Sequence, residues 1–140
     1  MPRTVLRPAA LGFQPRPEYP YSPGAKGGRL IFTAGQVAWN ERGELVGVGD
    51  VRAQTTQVFR NIESVLSEGG ATMDDVLKCT VFLPDIRHFQ QMNEVFATVF
   101  PDAPPARTTV QAVLAEPEML VEIEAIAYVE GNGSVDSEIP

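Results

Sequence analysis

The segment from Val121 to Ala127 alternates apolar and polar side chains, and this pattern constrains the fold more than any other part of the sequence. A period of two residues belongs to a β-strand that has one face in a core. Glu122 and Glu124 therefore project from one face of a sheet, among apolar residues. Because an isolated charge is costly to bury, each carboxylate is paired, aimed at an edge, exposed to water or held for a ligand.

A second charge, Arg107, follows two prolines and opens another segment of strand composition, residues 107–114. Its planar guanidinium can clamp a carboxylate through two parallel hydrogen bonds. The structural alternative is an ion pair with Glu122 or Glu124 across a hairpin, with residues 115–119 as the turn and 120–129 as the second strand. The register of that hairpin decides whether the two charges share a face, and the sequence leaves both alternatives open.

Two amphipathic helices are predicted between the strands. Residues 51–68 carry apolar side chains at the helical period, with Asp50 as a suitable N-cap and Gly69 at the expected end. Residues 77–83 form a buried strand that ends at Pro84, and Asp85 opens the second helix. The apolar face of this helix is formed by Phe89, Met92, Phe96, Val99 and Phe100.

The N-terminal part is less regular. Six prolines favour an irregular entry over residues 1–28, although residues 4–6 have strand composition. Residues 24–28 look like a turn. A hairpin is predicted from residues 29–39 and 44–48, with residues 40–43 as its turn. We expect a single domain over residues 1–130 and a disordered tail over 131–140.

This order of elements predicts an α+β fold in which two helices cover one face of a single sheet. No further helix is available to cover the opposite face. Oligomerisation is therefore expected to bury it.

Composition limits the partners. Eighteen acidic residues against eleven basic ones give a net charge of −7. Such a balance disfavours nucleic acid and anionic lipid as partners. With neither a signal-peptide pattern nor an apolar run long enough to span a bilayer, we expect a soluble, cytoplasmic protein.

The sequence offers little for metal or nucleophilic chemistry. His88 is the single histidine and Cys79 the single cysteine, so we expect no metal site, no catalytic triad and no cofactor. We interpret Cys79 as a buried structural residue in its strand. His88 is interpreted as a surface residue at the start of a helix.

Several collinear motifs resemble the RidA/YjgF family of imine/enamine deaminases over roughly residues 21–129. They are Pro20-Tyr21-Ser22, Ala34-Gly35-Gln36, Ala53-Gln54-Thr55, Gly69-Gly70-Ala71, Thr80-Val81-Phe82-Leu83, Met92-Asn93, Pro105-Ala106-Arg107-Thr108-Thr109-Val110 and Val121-Glu122-Ile123-Glu124-Ala125. The resemblance implies a chorismate-mutase-like subunit in a homotrimer with ligand clefts at the subunit interfaces.

The same resemblance implies roles for individual residues. Arg107 would clamp the carboxylate of the substrate, and Glu122 would order the catalytic water. The remaining pocket wall would comprise Tyr21, Gly35, Phe89, Asn93 and Thr109. Ala34 stands where the family often has Ser, and Thr109 where it often has Cys, so both departures bear on substrate preference.

The implied reaction is the hydrolytic deamination of short-lived enamines and imines such as 2-aminoacrylate, giving a 2-oxo acid and ammonia. Partial burial should raise the pKa of Glu122 toward neutrality, as acid/base catalysis requires. One alternative is a trimeric protein that binds small carboxylates as a sensor without turnover. Another is the ribonuclease or translation-inhibitor role attached to this family, which the acidic composition disfavours.

Overall fold

The computed structural model describes residues 2–11 and 19–130, which form one six-stranded mixed sheet with two α-helices on one face. The strands are β1 (Thr4–Leu6), β2 (Gly24–Gly27), β3 (Leu30–Thr33), β4 (Val76–Leu83), β5 (Ala106–Gln111) and β6 (Glu122–Tyr128). The helices are α1 (Val51–Glu68) and α2 (Phe89–Val99), and short 3-10 turns occupy Ala9–Leu11, Met73–Asp75 and Ile86–His88. The predicted α+β architecture, with two helices on one face of a single sheet, is confirmed.

The predicted hairpin between the last two strands is wrong. The strand order is β1-β2-β3-β6-β4-β5, so β4 lies between β5 and β6. Strand β5 runs parallel to β4, whereas β6 runs antiparallel to it. The crossover through α2 returns the chain in the direction of β4, because parallel neighbours need a long connection. Strand β6 then pairs on the other side of β4.

The N-terminal strands also differ from the prediction. Residues 24–28 were expected to be a turn, but β2 pairs there with both β1 and β3. The tight turn itself is at Gly28, whose φ of 57° suits glycine. The strand expected over residues 29–39 ends at Thr33, and the expected return over 44–48 forms only a single bridge, Trp39 to Leu45.

Helix α1 has the predicted bounds. The carboxylate of Asp50 accepts a hydrogen bond from the Ala53 amide at 3.1 Å, as an N-cap does. The left-handed residue after the helix is Gly70, with φ of 85°, and not Gly69. Asp85 caps the 3-10 turn ahead of α2 and not the helix itself, because it accepts from the Arg87 amide at 2.9 Å.

The core lies between the sheet and the helices. Its fully buried members include Ile31, Ile62, Leu66, Val81, Met92 and Ile123. Within residues 2–11 and 19–130, no helix covers the opposite face of the sheet, as predicted. Phe32 is 49% exposed there and Tyr128 is 38% exposed, which is a large apolar area for a sheet face in contact with water.

A buried glutamine, Gln54 on α1, fixes two loops. Its amide nitrogen donates to the carbonyls of Gly47 and Glu118 at 3.2 and 2.9 Å, and its oxygen accepts from the Leu120 amide at 2.9 Å. These bonds hold the chain where it enters β6. They therefore determine where Glu122, the first residue of β6, begins its strand.

The expected tail, residues 131–140, and part of the proline-rich entry lie outside the described residues. Over residues 2–11 and 19–130, no helix is long and apolar enough to cross a membrane.

Candidate functional site

Arg107 lies on β5, at the edge of the sheet, with its side chain toward α2. Its Cα is paired with that of Cys79 on β4. The guanidinium lies 4.7 Å from the ring centre of Phe96 and 5.4 Å from that of Phe89, and Nη1 is 3.8 Å from the sulfur of Met92. Rings at these distances stabilise a cation through their π faces. Aromatic and thioether groups therefore hold the cation in place.

No carboxylate pairs with Arg107 anywhere in residues 2–11 and 19–130. The expected alternative of a structural ion pair with Glu122 or Glu124 is wrong, because both carboxylates lie beyond β4 on the opposite face. Burial lowers the pKa of Arg107, yet guanidinium remains charged at physiological pH. A half-buried cation without an anionic partner is suited to an anionic ligand.

Cys79, the neighbour of Arg107 across β4 and β5, is fully buried. Burial raises the pKa of its thiol to about 12, against the opposing effects of Arg107 and Lys78. A thiol with such a pKa is not a nucleophile at neutral pH. The interpretation of Cys79 as a structural residue is confirmed.

Two polar side chains extend the surroundings of Arg107. Thr109 follows two residues later on the same face of β5, and Asn93 follows Met92 on α2. The hydroxyl of Thr109 and the side-chain oxygen of Asn93 are buried and have no hydrogen-bond partner among the described residues. Buried polar atoms in that state are costly, so a ligand that bonds to them would gain affinity. We call Phe89, Asn93, Arg107 and Thr109 the Arg107 half-site.

His88 differs from the prediction. It is half-buried, and its Nδ1 atom is buried without a hydrogen-bond partner in the described part of the chain. The expected surface position is therefore wrong. The cause is the 3-10 turn over Ile86–His88, which turns the residue before α2 partly inward.

Glu122 lies on the opposite, uncovered face of the sheet, where its Cα is paired with that of Phe82. The backbone of Gly35 passes so close that a Cβ atom there would overlap the Glu122 carboxylate. Burial raises the pKa of Glu122, and the neighbouring Glu124 raises it further. The predicted direction of that pKa shift is confirmed. A carboxyl group with a raised pKa can exchange protons nearer neutral pH.

Tyr21 belongs to the same surroundings. Burial raises the pKa of its phenol, and the charge of Glu122 adds to this effect. We call Tyr21, Gly35 and Glu122 the Glu122 half-site. A cavity of about 380 Å³ adjoins it, lined by Arg3, Pro20, Tyr21, Ser22, Gly24, Ala25, Phe32, Thr33 and Ala34.

The seven predicted site residues therefore form two half-sites on opposite faces of the sheet. Within one chain, the structure does not bring Arg107 and Glu122 together.

Comparison with known proteins identifies relatives of this arrangement. A family model described as "Endoribonuclease L-PSP" matches residues 12–129. A RutC family protein of Pyrococcus abyssi is 44% identical over 83% of this chain and 91% of its own length. The 3-aminoacrylate deaminase RutC of Acinetobacter baylyi is 35% identical over 92% of this chain and all of its own length.

The fold is shared with solved structures as well. The crystal structure of E. coli TdcF with bound serine matches with a TM-score of 0.80 and 28% identity, over 91% of this chain and 99% of that one. The chain belongs to the RidA/YjgF family. This membership confirms the resemblance drawn from the sequence motifs.

Two contacts of Arg107 were not predicted from the sequence. Met92 and Phe96 were interpreted only as core residues, yet they hold the guanidinium. The available signal was their position three and seven residues after Phe89, which places all three on one helix face. Arg3 was missed too, and nothing in the sequence links it to the Glu122 half-site.

No group of three or more His, Cys, Asp or Glu residues is placed to hold a metal ion within the described ranges.

Proposed function

We propose that the chain hydrolyses short-lived enamines and imines of the 2-aminoacrylate type to 2-oxo acids and ammonia, in the manner of a 2-iminobutanoate/2-iminopropanoate deaminase. One observation carries this proposal. Arg107 presents a half-buried guanidinium to the Arg107 half-site, held by two aromatic rings and without a carboxylate partner among the described residues. A substrate carboxylate supplies the missing charge.

The clamp also determines orientation. A guanidinium that forms two parallel bonds to a carboxylate fixes the plane of the substrate, and with it the position of C2. The buried oxygen of Asn93 accepts a hydrogen bond from the substrate, and the hydroxyl of Thr109 bonds to it as well. Substrate binding therefore satisfies polar atoms that are otherwise costly.

The chemical step requires water and proton transfer. The enamine first tautomerises to the imine, in which C2 is electrophilic. Glu122 takes a proton from a water molecule while the oxygen of that water adds to C2, and the tetrahedral intermediate forms. Glu122 passes this proton to the nitrogen, which gives a carbinolamine with one hydroxyl and one amino group on C2. As the C–N bond breaks, Glu122 transfers the hydroxyl proton to the departing nitrogen, so that ammonia and a 2-oxo acid form. A positioned acid/base group of this kind contributes roughly 10²–10⁴ in rate.

This chemistry needs both half-sites in one cleft, so we propose that a second copy of the chain supplies the second half. The uncovered sheet face, with Phe32 and Tyr128 exposed, supports assembly through that face. A homotrimer with three interface clefts satisfies both requirements. We also propose a cytoplasmic location, because a short-lived imine must be hydrolysed in the compartment where it forms.

The family description names an endoribonuclease, and RNA cleavage is a competing function. The net charge of −7 favours small anions held by a single guanidinium over a polyanion. We therefore propose that RNA is not a substrate. Filter binding in a salt series checks this point, since real phosphate contacts weaken steeply with salt.

The decisive experiment is to generate 2-aminoacrylate or 2-aminocrotonate in situ with a dehydratase, and to measure release of ammonia and 2-oxo acid. We expect the wild-type chain to accelerate release, and Arg107→Ala to abolish the acceleration. Arg60→Ala serves as a matched control, because Arg60 is an exposed arginine on α1. The control should leave the rate unchanged.

A folded, assembled wild-type protein that gives no acceleration would refute the deaminase proposal. Calorimetry with a 2-oxo acid would then test the alternative of a carboxylate-binding protein without turnover. Binding that disappears in Arg107→Ala would support that alternative.

A further inference from the structure

The cavity of about 380 Å³ beside the Glu122 half-site has no role in the reaction described above. Its position relates it to that reaction. Tyr21 lines the cavity and also lies within the electrostatic influence of Glu122. Ala34, another lining residue, immediately precedes Gly35, whose backbone contacts the Glu122 carboxylate. The cavity therefore opens next to the group proposed to activate water.

The lining combines apolar side chains, hydroxyl groups and one positive charge among the described residues. The apolar side chains of Ala25, Phe32 and Ala34 line it, together with the hydroxyl-bearing residues Tyr21, Ser22 and Thr33. Among the described residues, Arg3 is the only charged side chain of the lining. In the described part of the chain no hydrogen bond or ion pair engages Arg3, so its charge is available to a ligand.

We infer that this cavity receives the side chain of the substrate, and that Arg3 selects imino acids whose side chain ends in a second carboxylate. This inference rests on the proposed function, because it assigns the substrate class of the same site. The two charges have different tasks: Arg107 clamps the carboxylate next to the reacting carbon, and Arg3 attracts the carboxylate at the far end of the side chain.

The cavity is large enough for such a side chain. The carboxyethyl group of a glutamate-derived imine has five non-hydrogen atoms and needs about 150 Å³, at roughly the 30 Å³ that one water occupies in the liquid. The cavity of about 380 Å³ accommodates this group together with water. The apolar lining residues contact the methylene carbons, and the hydroxyl groups of the lining bond to the carboxylate.

The size of the preference follows from the exposure of Arg3, which lies at the surface of the chain. Exposed charge pairs contribute up to about 1 kcal/mol, which corresponds to roughly a fivefold change in kcat/KM. Screening by salt should reduce that preference as ionic strength rises.

The test compares imines of similar length, generated in situ from glutamate and from methionine by amino-acid oxidases with catalase present. The alanine-derived imine is the reference without a long side chain. Loss of each imine is followed through its trapping by semicarbazide. The variants are Arg3→Gln, Arg3→Lys and, as a control that removes one exposed charge on α1, Arg60→Gln.

We expect the wild-type chain to prefer the glutamate-derived imine about fivefold over the methionine-derived one. Arg3→Gln should abolish that preference, whereas Arg3→Lys and Arg60→Gln should retain it. All variants should process the alanine-derived imine equally well.

The inference is overturned if the wild type shows no preference, or if Arg3→Gln retains the preference. In either case, normal turnover of the alanine-derived imine leaves the proposed deaminase function intact. If the wild type accelerates none of the three imines, the proposed function fails and the inference fails with it.

Discussion

The separation of the two half-sites leads to a quantitative prediction about mixed oligomers. Arg107 is paired with Cys79, which is paired in turn with Ala125 on β6. Glu122 lies three residues before Ala125 on β6, about 10 Å away, and two strand spacings across the sheet add about another 10 Å at right angles. The Cα atoms of Arg107 and Glu122 are thus about 14 Å apart, with side chains on opposite faces.

A site that combines both residues must therefore draw them from two chains. Arg107→Ala removes the clamp from one half-site, and Glu122→Gln removes the acid/base group from the other. Each variant alone should be inactive. In randomly mixed oligomers, a cleft is intact when its first chain retains Arg107 and its second retains Glu122. With equal amounts of the two variants, about one quarter of the clefts meet this condition.

The assay is co-expression of the two variants with different affinity tags, purification through both tags, and measurement of 2-oxo acid release. Oligomers captured by both tags should recover on the order of a quarter of wild-type activity or somewhat more, since the unmixed, inactive oligomers are removed. Mixed oligomers as inactive as either parent would refute two half-sites from different chains.

A matched control places both substitutions in one half-site. Arg107→Ala mixed with Asn93→Ala leaves no cleft with an intact Arg107 half-site. The mixed sample should show only the mean of the two separate activities. Recovery in this control would indicate that Asn93 does not belong with Arg107.

Three further predictions concern single substitutions. Gly35→Ala should lower kcat more than tenfold while leaving the urea midpoint nearly unchanged, because the added Cβ displaces the flexible Glu122 carboxylate and not backbone; a normal rate would refute that contact. Gln54→Ala should reduce the free energy of unfolding by about 3 kcal/mol, since three partly buried hydrogen bonds are lost, and urea denaturation measures it. Glu122→Gln should raise the melting temperature at pH 7, because the raised pKa of Glu122 means that the folded chain disfavours its charged form. That gain should vanish as the pH falls below the ordinary carboxyl pKa of 4.5, where the wild-type side chain is protonated in both states; a gain independent of pH would contradict the assignment.

Sequence patterns were sufficient where local signals agree. Helix α1 was predicted with its bounds because an apolar stripe, an N-cap at Asp50 and a terminal glycine coincide. Strand β2 was missed because glycine and lysine have low strand propensity, and pairing with β1 and β3 overrides it. The error at the last two strands was of another kind. Strand composition does not reveal which strands pair, and β4 separates β5 from β6.

The same distinction applies to the candidate site. The motifs and the charged side chains in apolar segments identified Arg107 and Glu122 as candidate site residues. In the structure, partial burial shifts the pKa of each, as expected of a functional group. Their placement on opposite faces depends on the pairing of β5 with β4, which no pattern in either segment encodes. Arg3 enters its cavity through a similar long-range pairing, of β1 with β2.

The sheet that divides the two half-sites has a consequence for how proteins of this kind diverge. Substitutions around Tyr21 and Ala34 change the surface that would contact the variable part of a ligand. The aromatic ring that packs against Arg107 lies on the other side of the sheet, and these substitutions leave it unchanged. Selection can therefore alter the range of accepted molecules through one face and retain recognition of their common carboxylate through the other. Each face is free to accumulate changes at its own pace.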